Sequence, residues 1–304
     1  MTNTGKGIIC IVLSAFSFAA MALFVRLAGD ICFVEKAFFR NSVAFIIALF
    51  LVVKERKTHG AEEVSLKKEF LPWLLIRSAA GSLGIFGNFY AVDRLVLSDA
   101  AILNKMSPFF AVIFSIILLK EKIKLIPLLA ICGAFAGAVL IVKPGFDFSA
   151  MLPTLAGFTG GMGAGLAYSC VRKLSTMKCS GKIIVLFFSA FSTLLSVPYL
   201  LFYWEPLSAY QTVMLICTGV CAAGGQFGIT AAYSYAPARE ISVYDYSQII
   251  FSAAMGFIFF GMIPDWMSIT GYIIIILMAV LNFVYNKHRH AEEEKTVFKT
   301  DNIM

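Results

Sequence analysis

The sequence predicts an all-α membrane protein of ten transmembrane helices, built as two inverted five-helix repeats around a central cavity. Composition is the first reason. Hydrophobic residues make up 60% of the chain and charged residues 14%, with a mean hydropathy of +0.84; a soluble domain carries about 25% charged residues. The second reason is that the charges are clumped, leaving apolar runs of about 20 residues, the length a helix needs to cross a bilayer core. The third is that polar residues inside those runs recur in the same order after a constant shift.

In chain order the runs are 7–26, 33–53, 70–91, 97–119, 125–142, 151–171, 183–202, 210–235, 240–262 and 267–286. The first is read as a span rather than a secretory signal. Ala20-Met21-Ala22 imitates a cleavage triplet, but the run is too long and its counterpart recurs mid-chain. With the N-terminus inside, 19 lysines and arginines fall in inner segments and five in outer ones, while Lys105 lies within a span. That asymmetry predicts a multi-pass plasma-membrane protein with both termini in the cytoplasm.

The same asymmetry accounts for the net charge of +7, so no nucleic-acid partner is expected. The seven cysteines form no CxxC pair and mostly sit inside apolar runs, as small buried hydrophobes. All three histidines lie in the 54–69 loop or in the tail, and His288 and His290 are read as solvated tail residues. Neither a metal nor a cofactor is expected. With no histidine in a span and no phosphate-binding loop, an intramembrane enzyme or an ATP-driven pump is disfavoured.

The run Ser98–Lys124 holds Asn104, Lys105, Ser107 and Pro108 in its interior. A lysine there costs about 2.5–3.5 kcal/mol on insertion scales, and Pro108 frees the carbonyl of Asn104, four residues earlier. Groups of that kind face protein or water rather than acyl chains. Under a shift of 141 residues Gly84, Phe86 and Gly87 fall on Gly225, Phe227 and Gly228, Asp99 on Glu240, Asn104 on Asp245, and Ser107 on Gln248. An odd number of spans per repeat inserts the second copy upside down, as in many secondary transporters. The expected units are 1–144, 145–288 and a cytoplasmic tail, 289–304.

Several motifs together resemble EamA-type members of the drug/metabolite transporter superfamily. They are Arg77 opening span three, Asn88-Phe89-Tyr90-Ala91, and Ser107-Pro108-Phe109-Phe110 followed by Leu119-Lys120-Glu121. The resemblance runs from Gly7 to Asn286 and implies a cavity lined mainly by spans one, three, four, six, eight and nine. Members often end span nine with Gly-Glu, whereas this chain reads Gly261-Met262-Ile263-Pro264.

Helical spacing marks the candidate lining. Span nine carries Ser242, Asp245, Ser252 and either Gln248 or Ile249 on one stripe; span eight places Gln226, Thr230 and Tyr233 similarly; span three aligns Gly81, Gly84 and Asn88. With Asn104, Lys105, Tyr90, Tyr168 and Tyr244, these give the expected substrate-binding set: Lys105, Asp245, Asn104, Gln248, Tyr244, Asn88, Tyr90, Tyr168, Gln226, Thr230 and Tyr233. Lys105 and Asp245 project near the midplane, with backbone levels about 8 Å apart on a rise of about 1.5 Å per residue. Arg40 and Arg77 are read as snorkelling residues near span ends, Asp99 and Glu240 as helix N-terminal acids, and Gly157, Gly161 and Gly165 as a packing seam.

These residues point to a secondary transporter of a small polar metabolite, with an amino acid or its derivative as substrate. A carrier of organic anions or nucleotide-type metabolites is the alternative, and a channel a third class. The expected partners are a small-molecule substrate and the lipid bilayer; the sequence sets no oligomeric state.

Overall fold

A computed structural model describes residues 2–59, 66–95, 97–121, 124–143 and 151–301, without the side chains of residues 59, 92–93, 97–100 and 289–301. Among these residues all regular secondary structure is helical. Its helices are α1 (Asn3–Leu27), α2 (Phe33–His59), α3 (Leu71–Arg94), α4 (Leu97–Asn104), α5 (Ser107–Leu119), α6 (Leu125–Val142), α7 (Met151–Thr176), α8 (Gly181–Tyr203), α9 (Ala209–Tyr235), α10 (Ala238–Ile241), α11 (Ser247–Phe260) and α12 (Trp266–Asp301). Their limits follow local chemistry. Thr2 caps α1 by accepting the Gly5 N–H at 3.2 Å, and Ser208 with Gln211 forms a capping box on α9. Gly261, at a φ of 64°, ends α11 in the left-handed conformation that suits glycine.

Nine helical segments among the described residues are long and apolar enough to cross a membrane. The predicted span 151–171 is not one of them. It lies in α7, which is 26 residues long, but Gly157, Gly160, Gly161, Gly163 and Gly165 dilute its hydropathy. Those glycines serve packing instead. A Cβ on Gly161 would meet the Leu103 carbonyl oxygen at 2.5 Å, and one on Gly165 would meet Phe110 Cβ at 2.4 Å. On the α3 side, a Cβ on Gly87 would come within 2.5 Å of the Ala156 carbonyl oxygen. Contact this close replaces the hydrophobic drive that lipid cannot supply between helices.

The main packing pairs are α1 with α9, α3 with α7, α6 with α12 and α2 with α8. Large apolar side chains such as Ile46, Phe50, Leu194, Phe202, Ile258 and Leu277 stay exposed around the bundle, as a lipid-facing surface requires. At one end, Thr4 Oγ1 donates to Glu240 Oε2 at 2.7 Å and Asn282 Nδ2 to the Glu240 carbonyl at 2.8 Å, so the start of α1 and the Asn282 turn of α12 meet on α10. Glu240 does open α10, but its carboxylate is engaged by another helix. The side chain of Asp99 and the boundary at 144–145 lie outside the described residues. The expected tail, 289–304, begins inside α12, whose backbone continues helical to Asp301.

Candidate functional site

Two interrupted helices build the site. The first break separates α4 from α5 at Lys105 and Met106, with Pro108 in the opening turn of α5. Proline is at home there because first-turn N–H groups have no intrahelical partner. The carbonyl that gains a new donor is that of Lys105, one residue beyond the expected Asn104: the Tyr246 hydroxyl donates to it at 3.0 Å. The second break runs between α10 and α11, where Ser242–Tyr246 tighten into a 3₁₀ segment carrying Asp245.

The breaks face each other. Lys105 Nζ donates to Asp245 Oδ2 at 3.1 Å, to the Asp245 carbonyl at 3.3 Å and to Gln248 Oε1 at 2.7 Å. Side-chain exposures of 8% and 7% put the ion pair out of bulk water, where attraction is strong and loss of either partner is costly. An ammonium has three protons, and each finds an acceptor here.

A cavity of about 110 Å³ adjoins this pair. Of the expected residues, Asn88, Asn104, Lys105, Tyr168, Gln226, Asp245 and Gln248 line it. Tyr90, Thr230, Tyr233 and Tyr244 do not belong to its wall. Tyr233 lies one layer back, stacked on Tyr168 with ring centroids 5.1 Å apart and its hydroxyl 3.1 Å from Ser242 Oγ. Thr230 is buried beside Gln226 along α9, Tyr244 is buried in the core, and Tyr90 lies beneath the Arg94 guanidinium, 4.1 Å from its ring centroid. Helical spacing brings Thr230 and Tyr233 to the right helix, but a polar stripe is wider than the arc that faces the cavity.

The sequence reading misplaced Arg40 and Arg77. They do not snorkel: both are buried and both line the cavity. The Arg77 guanidinium sits 3.7 Å from the centroid of the Phe188 ring, in space that Gly81 leaves open, since a Cβ there would meet Arg77 Nη1 at 3.0 Å. Spacing could have revealed this. Arg77, Gly81, Gly84 and Asn88 follow one face of α3, so the stripe read from Gly81 onward begins one turn earlier.

Residues 5–143 match the EamA-like transporter family. That stretch of the chain is similar to members of the family. The chain is 29% identical over 280 residues to the pseudopaline exporter CntI of Pseudomonas aeruginosa, covering 90% of this chain and 95% of the exporter. It is also 28% identical over 289 residues to human solute carrier family 35 member G1, covering 90% and 77%. Against the riboflavin transporter of Vibrio cholerae it is 29% identical over 244 residues, covering 77% and 78%. A crystal structure at 13% identity superposes with a TM-score of 0.78 over 93% of this chain and 98% of its own, a likeness of fold alone. The described residues hold nine helices long and apolar enough to cross a membrane, and the relatives that the chain resembles are named as membrane transporters.

Proposed function

We propose that this chain is a secondary transporter of an amino acid or amino-acid derivative, working by alternating access. The carrying observation is the Lys105–Asp245 pair, buried against the cavity where two broken helices meet. A zwitterion can replace each member of the pair for the other, its carboxylate going to Lys105 and its ammonium to Asp245. The exchange leaves the net charge of the site unchanged, so no uncompensated charge remains in low dielectric. Relatives named for export of pseudopaline and transport of riboflavin support a small polar cargo.

In this reading the two broken helices are counterparts in inverted repeats, and the glycine contacts are the seams along which the repeats rock. Both termini face the cytoplasm of a plasma-membrane carrier, as the 19-to-five charge count favours. Counterflow in proteoliposomes loaded with unlabelled L-alanine or L-glutamate tests the assignment without assuming a driving force. Labelled substrate should accumulate transiently, with Lys105→Met weakening the carboxylate end and Asp245→Asn the ammonium end. If Lys105→Met/Asp245→Asn exchanges with wild-type affinity and selectivity, the charges are structural and the reading fails. A carrier of organic anions is the second reading, favoured by the two arginines in the cavity wall; under it Asp245→Asn leaves affinity intact.

A further inference from the structure

Among the described residues the cavity wall carries three cations, Arg40, Arg77 and Lys105, against one carboxylate, Asp245. Lys105 and Asp245 answer each other. Among the described residues the arginines have no such answer. Arg77 is 1% exposed, and its Nε and Nη1 have no hydrogen-bond acceptor. One face of its guanidinium is covered by Phe188, which leaves the N–H edges as its unused recognition surface. Arg40, 8% exposed, donates through Nη1 to the side-chain carbonyl of Asn41 at 3.1 Å, a neutral partner that cancels no charge. The nearest acid upstream on its helix, Glu35, accepts the Glu205 N–H through Oε1 at 2.9 Å, and its Oε2 has no hydrogen-bond partner among the described residues, so it is not paired with Arg40. Removing two cations from water without counter-ions is strongly unfavourable, and such groups inside a membrane protein mark sites that bind something.

We propose that Arg40 and Arg77 form a second, anion-binding position in the cavity, and that the cargo is an amino-acid derivative with one or two carboxylates beyond its α-carboxylate. The inference rests on the zwitterion reading: Lys105 and Asp245 take the amino-acid end, and the arginines take what extends from it. Planar forked donors fit carboxylates two N–H groups at a time, which suits arginine here better than lysine. A molecule of net charge between −1 and −2 then makes the loaded cavity close to neutral, and a plain neutral amino acid does not.

Three probes separate the two claims: L-alanine with no extra carboxylate, L-glutamate with one and N-carboxymethyl-L-glutamate with two. Competition against labelled L-glutamate counterflow gives an affinity for each. Affinity should rise along the series, by about 10- to 100-fold per extra carboxylate where a charge-assisted hydrogen bond forms. Arg40→Gln and Arg77→Gln should each lower the N-carboxymethylglutamate-to-alanine affinity ratio by at least about tenfold, and Arg77→Lys should restore part of it. Where Arg77→Gln fails to fold by size-exclusion chromatography, Arg40→Gln and Arg77→Lys decide. Exchange of all three probes with equal affinity, or a ratio untouched by both arginine variants, overturns the second position and leaves the zwitterion clamp standing. If none of the probes exchanges or competes, the clamp falls and this proposal with it.

Discussion

Lys105 Nζ lies 3.1 Å from Asp245 Oδ2, at a point where each residue's own helix is interrupted. A cation and an anion meet where two chain segments have given up regular backbone hydrogen bonding. In lipid that is tolerated only where the freed groups find protein or water. Here they find each other: the Asp245 carbonyl accepts from Lys105 Nζ, and the Lys105 carbonyl accepts from Tyr246.

The pair should behave as a coupled unit in stability. Lys105→Met or Asp245→Asn alone strands one buried charge and should cost roughly 3–5 kcal/mol. The double variant should lose clearly less than the sum of the two. Thermal unfolding of detergent-purified protein reads the difference, and additive losses would show that the two charges do not interact.

Tyr246→Phe removes the donor to the Lys105 carbonyl while keeping the ring. A buried acceptor left without its partner costs about 1–3 kcal/mol. The variant should melt at a lower temperature than wild type, whereas Tyr235→Phe, on an exposed ring, should not. Equal melting of Tyr246→Phe and wild type would mean that the carbonyl finds another donor.

Gly161→Leu should abolish transport, because its side chain starts 2.5 Å from the Leu103 carbonyl oxygen. Gly256→Ala is the matched control; the nearest atom to its new methyl is Met262 Sδ at 3.7 Å. Counterflow after a check of folded yield reads both. A well-folded, fully active Gly161→Leu would rule out a tight seam between α7 and the α4–α5 break.

Outside the spans, Asp265 accepts a hydrogen bond from Lys143 and a second from the Ser268 N–H, and these hold its carboxyl down at about 2. The folded value lies below the ordinary aspartate value of about 3.9. The tie is therefore fully present above about pH 4 and is lost as pH falls through about 2. A ¹³C titration of aspartate-labelled protein should find one midpoint near the lower value, rising toward the ordinary one in Lys143→Met. A titration unchanged by the substitution would dissociate the low value from Lys143.

Topology is tested by single cysteines at Thr58 and Glu205, which should react with impermeant maleimide from opposite sides of the membrane. Reaction of both from outside would contradict the charge-based orientation.

Membrane character, the EamA-like resemblance and the two buried charges were legible in the sequence because each depends on composition or on residues too costly to hide. Lys105 and Asp245 stand out by insertion cost alone. Which way a helix turns was not legible. The periodicity of α9 brought Thr230 and Tyr233 near the site, yet rotation by a fraction of a turn sets them behind it. Arg40 and Arg77 were missed for a related reason. A long basic side chain near a span end reads as snorkelling until neighbouring helices are seen to enclose it.

The four main helix pairs each join an early segment to a late one: α1 to α9, α2 to α8, α3 to α7 and α6 to α12. The halves of the chain are thus interleaved, with the glycine face of α3 left open until α7 has been synthesised. Folding cannot finish one half and then begin the other; early helices must wait in the membrane, inserted but unpaired, for partners still on the ribosome. A chain cut in the 144–150 connection should therefore yield two fragments that are each degraded when made alone and recovered together when co-expressed.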